Sequence, residues 1–518
     1  MSVSGASATS EHGMVATSHP LAVEVALDAL RDGGTSVDAA IAAGAMLTVV
    51  DPRSTGIGGD LFAQCWLPGA REPVGLAAAG PAPARMTMTA LEERGFSRMP
   101  TAGPWCVTVP GSVAGWDALM NRFGRLGLER ALTPAIDVAE GGFEVLPFIA
   151  EDWSDSVDKL SANAYSASLF LPAGRPPQAG EKLKNEDLGR SLRAIASSPS
   201  TFYTGWIAEE IDAAMRTLNG PLTAQDLASW NGPEWVVPIR RRFRDSDVYE
   251  MPPPTQGIVV LESLGLYEAL RPNGRVQEDH AAIECVKLAV ADAAAYVADP
   301  MFSSLNVEPL LSDSYLDSRR RRVDMDAARP ASAGTLAGDT VYVAVTDREG
   351  GACSFIQSLF MAFGSGVGVP GTGIVLQNRG TGFTLEGGHP NSPEPRKRPF
   401  HTIIPATLGR DGHLRGVFGV VGGPMQPQGH FQVLRNVLDR RMDPQSAVAE
   451  PRFRVGPAMQ VSFERSYDRR VVESLGALGH EPSELSRFEA GGAQLILVEN
   501  DGFVAGSDPR KDGMAGGY

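Results

Sequence analysis

Gly338-Asp339-Thr340-Val341-Tyr342-Val343-Ala344-Val345-Thr346-Asp347 is the stretch that decides the fold. Val341, Val343 and Val345 alternate with Tyr342, Ala344 and Thr346, the period-2 pattern of a strand. Residues 352–359 form a second apolar run, and Asp347-Arg348-Glu349-Gly350-Gly351 lies between the two. That cluster carries glycine where a three-residue hairpin loop needs a left-handed residue. The spacing predicts an antiparallel hairpin. With its turn centred on Glu349, Thr340 faces Ser358 to within about one residue of register, so two hydroxyls meet at the open end.

An internal threonine hydroxyl is a poor nucleophile, because nothing beside it takes its proton. A free α-amine on the same residue changes this, since that group titrates near ~7.7 to 8 and lies within reach of its own hydroxyl. Thr340 gains such an amine only if the peptide after Asp339 breaks, by attack of Thr340 on the Asp339 carbonyl. The hairpin taken alone also allows Thr340 to be a β-branched strand residue with no chemistry.

Thr55-Gly56-Ile57-Gly58-Gly59-Asp60, Val109-Pro110-Gly111-Ser112-Val113-Ala114-Gly115 and Pro252-Pro253-Pro254-Thr255-Gln256-Gly257 occur in that order. Pro370-Gly371-Thr372-Gly373-Ile374, Gly422-Gly423 and Gly506-Ser507-Asp508-Pro509-Arg510 follow. Together these resemble the ordered motifs of the γ-glutamyltranspeptidase family, from about residue 14 to Tyr518. The resemblance implies an N-terminal-nucleophile hydrolase with a four-layer αββα sandwich, two stacked antiparallel sheets between helical layers. It implies self-cleavage into a large part, residues 1–339, and a small part, residues 340–518, which interleave into one unit. Thr340 is then the nucleophile, Asp339 and Thr340 flank the cleaved bond, and Gly422 and Gly423 form the oxyanion hole. Ser358 stands where the family has a second threonine.

The sequence departs from the family in the acyl pocket. The carboxylate-binding arginine of the family falls near Ala79, and its Asn-Gln-Met-Asp-Asp stretch becomes Asn378-Arg379-Gly380-Thr381-Gly382. The paired serines become His401 and Thr402, and Phe360 replaces an asparagine. Losing an acid and gaining Arg379 favours an anionic acyl group without an amine, because an ammonium beside a guanidinium is repelled. These residues are similar to the branch that includes oxamate amidohydrolase and cephalosporin or glutaryl acylases. Arg379 is read as the acyl-carboxylate contact, and His401 and Thr402 as shaping the leaving-group side. An internal ion pair for Arg379 and a packed histidine at 401 are the structural alternatives. A γ-glutamyl hydrolase or transferase using other residues, and an uncut non-catalytic homologue, are the functional ones.

The net charge of −15 disfavours non-specific nucleic-acid binding. Arg319-Arg320-Arg321-Arg322 is read as a solvated helix end beside Asp317, Asp324 and Asp326. Four scattered cysteines carry no metal or redox spacing, so neither a disulfide framework nor a metal is expected, and the threonine mechanism calls for no organic cofactor. Residues 1–19 lack the basic and apolar regions of a secretory leader, and residues 41–50 are too short to cross a bilayer. The expectation is a cytoplasmic protein with no membrane partner, acting on a small-molecule amide as a processed heterodimer, with paired heterodimers fitting the resemblance.

Helical spacing runs over residues 20–31, and Thr35 with Asp38 forms a capping box opening a second helix to about residue 47. Further helices are expected at 132–140, 208–218 and 280–297. Residues 55–60 lack the lysine of a phosphate loop and read as a tight turn. Residues 325–337 read as a mobile loop, and 392–399 as a proline-rich one.

Overall fold

Asp339–Thr346 and Ala352–Phe360 are antiparallel strands, in the register the turn residues dictate: Val341 pairs with Gln357 and Tyr342 with Ile356. Gly350 takes φ 85° and its N–H donates to the Asp347 carbonyl at 3.1 Å, which closes the turn. At the open end a bulge between Asp339 and Val341 shifts the pairing, so that Asp339 faces Phe360. Thr340 therefore stands at the kink.

The computed structural model describes residues 5–303, 307–330, 338–499 and 502–518. The hairpin lies at the centre of a seven-stranded sheet, with Met14–Thr17 on one side and Asp60–Trp66 on the other. A second seven-stranded sheet faces it, with His413–Val421 central between Gly492–Glu499 and Ala406–Arg410. Every pairing in the two large sheets is antiparallel. Both sheets draw strands from each side of residue 340, so the two parts share one fold.

Alternation along the hairpin explains the layers. Tyr342, Ala344 and Ile356 point between the sheets, where they bury against Tyr249, Ile403, Val417 and Ile496. Val341, Val343, Val345 and Phe355 point the other way, into a helical layer built on Pro20–Arg31 and Ser36–Val50. On the outer face of the second sheet, Val248, Phe418, Val420 and Leu495 meet helices Gly257–Glu268, Arg275–Tyr296 and Met425–Leu434. The result is helix, sheet, sheet, helix, the expected four layers.

Local signals hold with shifted ends. The Thr35 hydroxyl and Asp38 carboxylate make the reciprocal cap, but that helix runs to Val50, because every residue of Ser36–Val50 is buried and tertiary packing extends it. The helices expected at 132–140, 208–218 and 280–297 are Leu128–Gly141, Trp206–Thr217 and Arg275–Tyr296. The arginine run differs from the solvated reading: Arg319 pairs with the buried Asp292 at 2.7 Å, and Arg320 caps the Leu266 and Gly265 carbonyls. Only Arg321 and Arg322 are exposed. Of the expected mobile loop, residues 325–330 have no regular structure, and 331–337 lie outside the described residues. Cys65 and Cys353 are cross-strand neighbours with Sγ atoms 4.0 Å apart, a proximity invisible in their spacing.

Candidate active site

Parity places Thr340 and Ser358 on the face that looks between the sheets, at the end where Val421 runs into Gly422-Gly423. The Thr340 Oγ lies 3.2 Å from the Ser358 Oγ and 2.6 Å from the Asp339 carbonyl oxygen. Ser358 Oγ donates to that same carbonyl at 2.7 Å and accepts the Phe360 N–H at 2.7 Å. The carbonyl of the bond before Thr340 thus sits against two hydroxyls. Phe360 holds φ 80° to make this turn, a strained value for a residue with a Cβ, over-determined by its buried ring and the Ser358 contact.

Gly422 and Gly423 take φ 116° and 57°, backbone angles that favour glycine. A Cβ built on Gly423 would lie 2.8 Å from the Cα of Gly338, so the chain entering Asp339 lies directly on the glycine pair. Thr340 is 3% exposed, and Ser358 and Arg379 are fully buried. In the continuous chain, the Thr340 hydroxyl is closed off from solvent.

The residues that depart from the family pattern converge on one cluster. Asp60, cross-strand partner of Ser358, accepts from Arg379 Nε at 3.3 Å and from His401 Nε2 at 3.4 Å. Arg379 Nη1 donates to the Thr402 hydroxyl at 3.0 Å, and the guanidinium stacks 4.4 Å over the Phe360 ring. Arg379 therefore makes the internal ion pair that was one alternative reading. Two buried atoms of the cluster, Arg379 Nη2 and Asp60 Oδ1, have no hydrogen-bond partner. Burial pushes the Asp60 carboxyl up to about 7 against the pull of Arg379. Burial likewise brings Arg379 down to about 10, with Asp60 opposing. His401 is driven well below its usual range by burial and by the Arg379 and Arg398 charges. Its ring is therefore neutral, with Nδ1 accepting the Ile403 N–H at 3.4 Å and Nε2 left to donate to Asp60.

All the residues singled out from the sequence, Asp339, Thr340, Ser358, Phe360, Arg379, His401, Thr402, Gly422 and Gly423, belong to this single constellation. Four further members escaped that reading. Gln426 Nε2 lies 3.3 Å from the Thr340 Oγ, with its Oε1 fixed by the Ile404 N–H. Gln256 Nε2 donates to the Thr402 and Gly423 carbonyls at 2.6 and 2.9 Å, tying the segment that carries Thr402 to the glycine pair. Asp60 closes the glycine turn and Arg53 pairs with Asp339. Asp60 and Gln256 sit inside motifs that were legible; nothing in the sequence marks Gln426 or Arg53.

Elsewhere, the ligand atoms of His280, Glu284 and His480 lie within 4.8 Å of one another, the spacing of a metal site. The hydrogen-bond directions argue for a different occupant. His280 Nε2 faces the Asp324 carbonyl at 2.7 Å and so carries its hydrogen, leaving Nδ1 to accept from His480 Nε2 at 2.9 Å. His480 Nδ1 then accepts from Lys287 at 3.3 Å, and Lys287 also bonds Glu284 and the Arg329 carbonyl. The Lys287 ammonium supplies the cation, and all three of its donors are used.

The four layers with a hydroxyl residue at the mouth of the central hairpin are the N-terminal-nucleophile hydrolase fold. Within that class the chain belongs to the γ-glutamyltranspeptidase family, whose family model matches residues 22–518. It is 34% identical to the glutathione hydrolase-like YwrD proenzyme of Bacillus subtilis (strain 168), over 97% of this chain and 98% of the relative. It is also 34% identical to the oxamate amidohydrolase proenzyme of Klebsiella pneumoniae, over 98% of this chain and 99% of the relative. Cephalosporin acylase from Bacillus halodurans has the same fold at a TM-score of 0.94 and 39% identity, covering 99% of this chain and 97% of that one. No helix of the described residues is long and apolar enough to cross a membrane.

Proposed function

We propose that this chain is a self-processing amidohydrolase that cuts itself between Asp339 and Thr340 and then hydrolyses amides with a small anionic acyl group. The observation that carries the reading is the 2.6 Å contact of the Thr340 hydroxyl with the Asp339 carbonyl oxygen, backed by Ser358 at 2.7 Å. In self-cleavage the Thr340 Oγ bonds to the Asp339 carbonyl carbon, and its proton passes to Ser358 as the Ser358 proton moves to the carbonyl oxygen. The C–N bond then breaks, the electron pair leaves on the Thr340 nitrogen, and the proton follows it. Water adds to the resulting ester and the C–Oγ bond breaks, giving a carboxylate at Asp339 and a free amine at Thr340. Turnover repeats the ester chemistry on a substrate amide: the free amine takes the hydroxyl proton and returns it to the departing amine, while Gly422 and Gly423 N–H groups receive the oxyanion. These steps use groups of the chain and water. The mature molecule is then residues 1–339 and 340–518 held by the sheets they share.

In this reading the unpartnered Arg379 Nη2 takes an oxygen of the acyl carboxylate, with Phe360, His401 and Thr402 as its surround. Arg379→Ala is expected to weaken kcat/KM on carboxylate-bearing amides by about 1.5 to 3 kcal/mol, the value of a buried ionic hydrogen bond, and to spare neutral amides. Equal losses on both would remove Arg379 from recognition. Asp60 adds a pH dependence. Below about 7 its carboxyl is protonated and the Arg379 charge is free for an anion; above, the carboxylate neutralises it and repels the acyl group. KM for anionic amides is therefore expected to rise as pH passes 7, and Asp60→Asn to flatten that rise. A flat wild-type KM between pH 6 and 8 would contradict the pairing. Comparing oxamate, glutaryl amides and γ-glutamyl-p-nitroanilide as substrates tests the acyl class directly. Preference for the γ-glutamyl donor would favour a glutathione hydrolase instead, with its ammonium held away from Arg379.

A further inference from the structure

The Asp339 carboxylate has no part in the chemistry described above, yet both of its oxygens are held beside the cleaved bond. Its Oδ1 accepts the Thr340 N–H at 2.9 Å, and its Oδ2 is ion-paired with Arg53 Nη1. Both side chains are buried, at 4% and 2% exposure. Arg53 is itself clamped: its guanidinium stacks 4.3 Å from the Phe488 ring, and its carbonyl accepts the Phe363 N–H at 2.8 Å. Next in sequence, the Ser54 carbonyl accepts the Leu359 N–H at 3.1 Å, so the turn carrying Arg53 is tied to the strand carrying Ser358.

We propose that Arg53 is a positioning residue for self-cleavage: by gripping the Asp339 carboxylate, it holds the carbonyl before Thr340 against the two attacking hydroxyls. This rests on the self-processing reading above. Two contacts on one carboxylate, one from Arg53 and one from the Thr340 N–H, fix the Asp339 side chain and the orientation of the peptide plane between them. The same carboxylate faces the nitrogen on which an amine develops as the C–N bond breaks, and an anion there stabilises that charge. Burial would raise Asp339, but the charges of Arg53 and Lys511 outweigh it and hold the carboxyl below its usual range.

The test follows conversion of the full-length chain into two fragments on denaturing gels after a short pulse of synthesis. Arg53→Met and Asp339→Asn are each expected to slow conversion about 10- to 100-fold, the range of one lost charge-assisted hydrogen bond. Arg53→Lys is expected to retain most of the rate, and the double variant Arg53→Met/Asp339→Asn to be no slower than the slower single one. A merely structural Arg53 would give losses that multiply in the double variant. Conversion of Arg53→Met at the wild-type rate, or multiplying losses, overturns the proposal while leaving self-processing intact. Absence of any cleavage in the wild-type chain would overturn self-processing itself, and the role of Arg53 with it.

Discussion

Thr340→Ala is expected to persist as one full-length band on a denaturing gel and to hydrolyse no amide. Removing the hydroxyl takes away the atom that attacks the Asp339 carbonyl and, because that bond then survives, also withholds the α-amine that would serve as base. Nucleophile and base are lost together, so the fall in turnover is on the order of 10⁶-fold, down to background. The packing should survive, since one buried hydroxyl is lost from a strand whose neighbours Val341, Tyr342 and Val343 still fill their two cores. Thr340→Ser is the matched control: it keeps the oxygen within reach of Ser358 and should still divide into two fragments. Two bands from Thr340→Ala would remove the threonine from the chemistry.

Ser358→Ala is expected to slow self-cleavage by about 10²- to 10³-fold, the cost of losing one donor aimed at a developing oxyanion. Ser358 does two things at once: it donates to the Asp339 carbonyl and stands 3.2 Å from the Thr340 hydroxyl, ready to accept its proton. Alanine removes both, and leaves the Phe360 N–H without its 2.7 Å acceptor in a turn already at φ 80°. That orphaned buried donor adds about 1 to 3 kcal/mol of destabilisation, visible as a lowered melting temperature of the uncut chain. Ser358→Thr keeps the oxygen and should recover most of the rate. Wild-type cleavage by Ser358→Ala would remove Ser358 from the proton route, and Gln426 Nε2, which donates to the Thr340 oxygen, cannot replace it as acceptor.

What the sequence could and could not say divides along physical lines. The hairpin was legible because strand alternation and the Asp347–Gly351 turn are local, and their geometry fixed the facing of Thr340 and Ser358. Only the bulge at Asp339 escaped, since it depends on Phe360 adopting a backbone angle that no local preference predicts. The capping box at Thr35 was legible for the same reason, and the far end of that helix was not, because burial against the hairpin sets it. The four layers came from family motifs, not from periodicity. Arg379, His401 and Thr402 were found as departures from a pattern, and they do share one cluster. Their partners were not found: Asp60 stands 319 residues before Arg379 and Arg53 stands 286 before Asp339, and no sequence spacing connects charges that only the folded sheets bring together. Asp60 changes the reading of Arg379 most, because a carboxylate beside the guanidinium makes its availability to a substrate depend on pH.

The central claim is that the chain breaks before Thr340 and that the amine released there arms the neighbouring hydroxyl. Intact-mass measurement of the purified, active protein, with Edman sequencing of the smaller fragment, tests it most directly. The account predicts two species whose masses correspond to residues 1–339 and 340–518, the second beginning Thr-Val-Tyr-Val. A single full-length species with full activity, or a smaller fragment that starts at any other residue, would contradict it.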